Sequence, residues 1–273
     1  LIDYFLVTSL LFFLGFLDDL KVKISPNIRL VIMLIILAFC INIFSIQITR
    51  SGLEFLDSWL ENNIFQLCFV LLCFLFIING ANLIDGYNGL LAIHFLIINF
   101  ILLGINLVNQ NFQIATILTT QIIIIFSFLL FNFPKAKIFL GDAGSYICGS
   151  LLAINIIKTH QLNSEITPFF YSSILFYLFF EVFFSFIRKS VKKKSPLNPD
   201  SLHLHMLLYN YLLNSKKLIK SNYKTSIIIN TVYLILILPT IFFQENGLIS
   251  RYYFFLLIFF YSFCYYFLYK LKK

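Results

Sequence analysis

Apolar runs, most of them close to one membrane thickness in length, alternate along this chain with short polar segments. A helix needs about 20 mostly apolar residues to cross a hydrocarbon core about 30 Å thick. That spacing predicts nine membrane helices, over 1–17, 28–48, 64–84, 90–108, 112–133, 146–157, 166–187, 225–243 and 248–269. The sixth is the shortest, and Gly149 and Ser150 interrupt it. None of the runs alternates polar and apolar positions as a barrel strand would. Lipid offers no partner to an unpaired backbone group, so each is expected to be helical. The expected fold is all-α: a polytopic membrane helix bundle, one membrane-embedded domain over 1–273 with a basic loop at 188–224. The chain opens on Leu1 inside an apolar stretch, from which an amino-terminal truncation is expected. Nothing resembles a basic start followed by a small-residue cleavage site, nor an internal repeat of the transporter kind.

Composition points the same way. Of 273 residues, 60% are hydrophobic and 12% charged, against about 25% charged in soluble domains. The formal charge is +8, and its distribution orients the bundle. With nine spans, Arg50, Lys158 and Arg251 fall on one side and every other Lys and Arg on the opposite side. The basic side is expected to be cytoplasmic. This division needs the sixth span, without which the Lys-rich 188–224 loop would lie outside. Asp18, Asp19, Asp85, Asp142 and Asp200 also fall on the basic side, at or near helix ends. Carboxylates gathered on a basic face point to a bound divalent cation, which takes oxygen ligands. Cys40, Cys68, Cys73, Cys148 and Cys264 lie in apolar runs without a C-x-x-C pair and read as small buried side chains.

Four cytoplasmic segments carry candidate chemistry. Asp18-Asp19-Leu20-Lys21 follows a span directly, and adjacent carboxylates repel unless a cation sits nearby. Asn79-Gly80-Ala81-Asn82-Leu83-Ile84-Asp85-Gly86-Tyr87-Asn88-Gly89-Leu90 places Asn82 and Asp85 on one helix face. Asn132-Phe133-Pro134-Lys135-Ala136-Lys137-Ile138-Phe139-Leu140-Gly141-Asp142-Ala143-Gly144-Ser145 sets a carboxylate beside helix-start N–H groups that attract phosphate. Ser195-Pro196-Leu197-Asn198-Pro199-Asp200-Ser201-Leu202-His203-Leu204-His205-Met206 brings two histidines after a basic run suited to a diphosphate or anionic headgroups. Glu181, inside an apolar run, is expected to face the protein interior or to pair with Arg188, since a bare charge in the bilayer is costly. His94 and His160 have no motif around them and read as ordinary buried histidines.

Taken together and in this order, the segments resemble the polyprenyl-phosphate N-acetylhexosaminyl-1-phosphate transferase superfamily, most closely its glycosyltransferase family 4, WecA/TagO-like branch. The resemblance implies transfer of N-acetylhexosamine-1-phosphate from a UDP-sugar, UDP-N-acetylglucosamine first, to undecaprenyl phosphate, releasing UMP and starting a lipid-linked cell-surface glycan. It implies Mg²⁺ as cofactor, with Mn²⁺ as a substitute, held by Asp142 with Asn82 close by. Asp18, Asp19 and Asp85 would be the catalytic carboxylates. Asn132, Phe139, Asn88, His203 and His205 would bind substrate, Phe139 as a stacking surface for uracil. The implied setting is the bacterial inner membrane, the active site on its cytoplasmic face, with no nucleic-acid partner and a homodimer left open. Met206 stands where the branch has a further histidine, Asn88 where many members have Asp, and Glu181 where relatives often have Asp. The rival readings are an MraY-type phospho-N-acetylmuramoyl-pentapeptide transferase, an inactive homologue and a transporter.

Overall fold

The computed structural model describes residues 1–22, 24–193, 195, 200–214 and 221–272. The elements described are helical: α1 Ile2–Asp19, α2 Pro26–Ile43, α3 Glu54–Leu60, α4 Asn63–Ile84, α5 Leu90–Val108 and α6 Phe112–Asn132. They continue as α7 Gly141–Leu162, α8 Pro168–Val191, α9 Leu204–Asn214, α10 Ser221–Ile237, a 3₁₀ turn over Leu238–Phe243 and α11 Gly247–Lys272. Several starts are written locally. Ser25 accepts the Ile28 N–H ahead of Pro26, Asn62 accepts from Ile64 and Phe65, and Thr167 accepts from Phe170 ahead of Pro168. Each side chain satisfies a donor that the first helical turn leaves open.

Among the described residues, seven segments are long and apolar enough to cross a membrane: α2, α4, α5, α6, α8, α10 with its 3₁₀ turn, and α11. The protein is a polytopic membrane helix bundle. The remaining two predicted spans are α1 and α7, which pair along their whole length. At one end Lys158 pairs with Asp3; at the other, Asp142 and Ala143 donate to Asp19. The sixth run proves longer than the predicted 146–157. Its polar residues belong to an interior helix rather than to an interruption, because α7 packs against α1, α4, α5, α6 and α8. Ser145, Ser150, Asn155 and Thr159 are all buried. Asn155 accepts from Tyr4 Oη at 2.9 Å and donates to Asn99 and Gln121 at 3.1 and 2.7 Å. A buried polar group tied in this way avoids the cost of an open one. Side chains such as Phe100, Ile123, Phe126 and Phe259 face outward, exposed to the lipid the bundle requires.

Close helix approach depends on missing side chains. A Cβ on Gly15 would lie 2.6 Å from the Ala143 Cα, and one on Gly149 would lie 2.6 Å from the Ile78 Cα. These contacts bring α1, α7 and α4 backbone to backbone, as small residues do in membranes. The predicted 188–224 loop is largely helical where it is described: α8 runs on to Val191, α9 occupies Leu204–Asn214, and α10 begins at Ser221. The Pro196-Leu197-Asn198-Pro199 stretch of the fourth motif lies outside the described residues, as do Lys23, Lys194, Lys216, Lys217, Lys220 and Lys273 of the basic tally.

Candidate active site

The ends of α1 and α4 and the starts of α2 and α7 meet on the basic face. Asp142, in the first turn of α7, accepts from Asn82 Nδ2 at 2.7 Å through Oδ1 and from Arg29 Nη1 at 3.0 Å through Oδ2. The same Arg29 guanidinium pairs with Asp18. Asn82 also donates to Ser145 Oγ at 3.0 Å. One cation therefore joins two carboxylates that are 124 residues apart in sequence, and Asn82 fixes the orientation of the second.

Asp19 has a different task. Its Oδ1 accepts from the Asp142 N–H at 2.9 Å and its Oδ2 from the Ala143 N–H at 3.0 Å. It caps α7 from another helix, its negative charge set where the helix dipole is positive. The cap requires Gly141, which has φ +66° and whose Cβ would lie 2.6 Å from Asp19 Oδ2. Asp85 ends α4, its N–H donating to Asn82 O, while its carboxylate makes no hydrogen bond among the described residues. Burial raises its carboxyl, and the negative charges of Asp142 and Asp19 add to this, to about 7.

The asparagines serve the neighbouring loops. Asn132 is buried; its Oδ1 accepts from the Gly89 N–H at 2.7 Å and its Nδ2 donates to Ile138 O at 2.8 Å. Asn88 donates through Nδ2 to Pro134 O at 3.0 Å and through its N–H to Asn222 Oδ1 at 2.7 Å. Both tie the 85–89 turn to the 133–140 loop, so their amides shape the rim. Phe139, on that loop, is 75% exposed and presents an open ring face.

The histidines form a buried cluster around Glu181. His203 Nδ1 lies 2.9 Å from Glu181 Oε2, and the Leu204 N–H donates to Oε1 at 3.1 Å. His205 Nδ1 lies 3.6 Å from Oε1 and 3.5 Å from Tyr177 Oη, while its Nε2 has no partner among the described residues. The two imidazoles stack at 5.6 Å. Glu181 faces the interior and pairs with histidine; Arg188 pairs instead with Asp200 at 2.8 Å. The Tyr87 ring, two residues beyond Asp85, sits 5.5 Å from the His205 ring and links the two clusters.

In the sequence, Arg29 counts only as one of the basic residues that orient the bundle. The signal for a second role was its place in the first turn of α2, where a helix dipole disfavours a cation and some local anion must compensate. Ser145 read as a helix start, and the structure adds its hydrogen bond to Asn82.

Among the described residues, no group of three His, Cys, Asp or Glu side chains could hold a metal ion. Asp18 and Asp142 nevertheless offer hard oxygen donors in one cluster. That set fits Mg²⁺, which takes one or two carboxylates and completes its octahedron with water and substrate phosphates. It does not fit a closed structural metal cage.

Comparison with known proteins gives a consistent picture. The family model for glycosyl transferase family 4 matches residues 1–160. An undecaprenyl-phosphate alpha-N-acetylglucosaminyl 1-phosphate transferase of Thermotoga maritima is 29% identical over 202 residues, 74% of this chain and 60% of the relative. A probable undecaprenyl-phosphate N-acetylglucosaminyl 1-phosphate transferase of Bacillus subtilis is 29% identical over 74% of this chain and 56% of its own. A phospho-N-acetylmuramoyl-pentapeptide-transferase of Streptococcus pyogenes is 33% identical over 54% of this chain and 46% of its own. The chain thus spans about half to three-fifths of the length of these relatives.

Proposed function

The chain belongs to glycosyl transferase family 4, and from that premise we propose that it transfers N-acetylhexosamine-1-phosphate from a UDP-sugar to undecaprenyl phosphate, releasing UMP. UDP-N-acetylglucosamine is the proposed donor, because the relatives covering the larger share of this chain are named for that sugar. The observation that carries the reading is the Asp18–Arg29–Asp142 cluster, with Asn82 and Asp85 at the same helix ends.

One phosphoanhydride replaces another in this reaction, so catalysis is mainly positioning and charge neutralisation. The lipid phosphate, already ionised near neutral pH, attacks the β-phosphate. A new bond forms between the lipid phosphate oxygen and the β-phosphorus, the bond from the β-phosphorus to the bridging oxygen breaks, and UMP leaves carrying that bridging oxygen on its α-phosphate. Asp18 positions the attacking phosphate or removes a residual proton, and Arg29 holds phosphate oxygens through charge-assisted hydrogen bonds. Asp142 is the proposed Mg²⁺ ligand, oriented by Asn82. When bound there, Mg²⁺ would offset repulsion between the two anionic phosphates. His205, whose Nε2 has no partner among the described residues, is the proposed donor to the diphosphate or sugar, while Glu181 holds His203. Phe139 offers its exposed face to the uracil. A cavity of about 160 Å³ between α8, α9, α10 and α11, lined by Tyr177 and Leu204 beside the histidines, suits part of an apolar tail.

The pentapeptide-transferase reading rests on the Streptococcus pyogenes relative, and donor competition separates the two. Membranes carrying the protein are supplied with undecaprenyl phosphate, Mg²⁺ and radiolabelled UDP-N-acetylglucosamine, with Asp142→Asn alongside. Label should enter the lipid phase, return to the aqueous phase on adding UMP, and fall by at least about a hundredfold in the variant, the scale of a lost electrostatic catalytic group. Transfer only from UDP-N-acetylmuramoyl-pentapeptide would favour the second reading. No transfer from either donor by the folded protein would reject both.

A further inference from the structure

On the face opposite the carboxylates, a cavity of about 150 Å³ opens between the 48–51 segment, α4, α7 and α8. At its mouth, three polar side chains have hydrogen-bonding atoms without partners among the described residues. His160 is 6% exposed, and neither ring nitrogen has a hydrogen bond among the described residues, although the Arg50 main chain lies close. Tyr171 is 4% exposed with its hydroxyl open. Arg50 gives Nη2 to Ser164 O and Ile166 O, and its Nε is buried without a partner. Unpaired buried polar atoms are uncommon and costly. Three side chains carrying such atoms around one cavity, each able to donate, describe a receptor for an acceptor-rich group.

Deeper in, the lining turns apolar. Ile77, Ala153 and Leu175 close the inner end, and Ala153 lies about two turns deeper along α7 than His160. Donors at the membrane border above an apolar interior match the axis of a membrane lipid. A pocket filled only by water would not need that apolar depth, because a buried water needs polar partners.

We propose that this cavity binds an anionic membrane lipid, its acidic headgroup held by Arg50, His160 and Tyr171 and one acyl chain inserted toward Ala153. The site lies across the bundle from the carboxylate cluster, so its occupant is distinct from the proposed acceptor lipid. Binding would close the open hydrogen bonds and brace α7, whose other end carries Asp142.

The test uses the full chain purified in detergent, measured by native mass spectrometry and thermal unfolding with added phosphatidylglycerol, phosphatidylcholine or inorganic phosphate. Phosphatidylglycerol should be retained at one copy per chain and raise the unfolding temperature. His160→Leu should weaken retention by about tenfold, as expected for a lost charge-assisted hydrogen bond. It should also raise the unfolding temperature of lipid-free protein, because it removes two unpaired buried nitrogens. Ala153→Phe should block the chain without touching the head. Equal retention of phosphatidylcholine, or retention unchanged in both variants, would overturn the proposal. An equal stabilisation by inorganic phosphate alone would replace the lipid with a free anion and equally overturn it.

Discussion

Asp85 ends α4 in a half-buried position where burial, then Asp142 and Asp19, raise its carboxyl from 3.8 to about 7. The folded protein therefore retains this proton between about pH 4 and 7, where the unfolded chain has released it. Its contribution favours the fold at low pH and is lost as pH rises through 7. Catalysis by the charged form runs the other way: the rate should climb with pH and level above about 7. Asp85→Asn should abolish that inflection in the pH–rate profile, and a profile that keeps it would assign it to another group. Added Mg²⁺ should move the wild-type inflection downward, since a nearby cation favours the carboxylate. Asp19 makes a different prediction because it caps α7 through both oxygens. Asp19→Ala should cost about 0.5–2 kcal/mol of stability. Asp19→Asn keeps one acceptor and should lose less in a thermal melt, so activity lost by the Asn variant beyond its melt would report the charge itself.

Helix α1 carries Asp18 and Asp19 to Asp142 only because Gly15 lets it lie against Ala143. Gly15→Ala would put a methyl 2.6 Å from the Ala143 Cα, with backbone rather than flexible side chain in the way. Overpacking of this kind costs about 1–3 kcal/mol, and the shift in α1 should lower activity as well. Gly104→Ala is the contrasting case: it lies on the exposed side of α5 with nothing within 4 Å of an added Cβ. It should stabilise the helix by up to about 1 kcal/mol, and the pair can be compared by thermal unfolding in one detergent. The same contrast shows what was legible beforehand. Seven helices follow from apolar length, which lipid dictates directly. The full extent of α7 does not, because its Ser145, Asn155 and Thr159 answer to neighbouring helices rather than to lipid. The carboxylate motifs were visible as motifs, but Arg29 between Asp18 and Asp142 was not, since that pairing exists only after α1, α2 and α7 have packed. Asn132 was legible as a special residue, while its bonds to Gly89 and Ile138 depend on two loops meeting.

Across the whole molecule, polar chemistry divides between two ends of one apolar bundle. At one end lie the Asp18–Arg29–Asp142 cluster, Asp85 and the Glu181 histidines. At the other, Arg50 holds Ser164 O and Ile166 O, and Arg251 donates to Gly52 O at 2.6 Å. Lys135, Lys137, Lys192, Lys270 and Lys272 are exposed at the first end, and the bias of basic residues predicts that this end faces the cytoplasm. The assignment is also a chemical requirement of the proposed reaction, whose nucleotide donor is a cytoplasmic solute and cannot cross the bilayer unaided. Single cysteines at Gln110, in the α5–α6 turn, and at Lys137, in the α6–α7 loop, test it because both side chains are exposed. The five native cysteines all lie within helices. A membrane-impermeant maleimide applied to intact cells should label Gln110→Cys, and should label Lys137→Cys only after permeabilisation. The reverse pattern would place the carboxylates outside, leaving the site without access to a UDP-sugar and removing the proposed reaction with it.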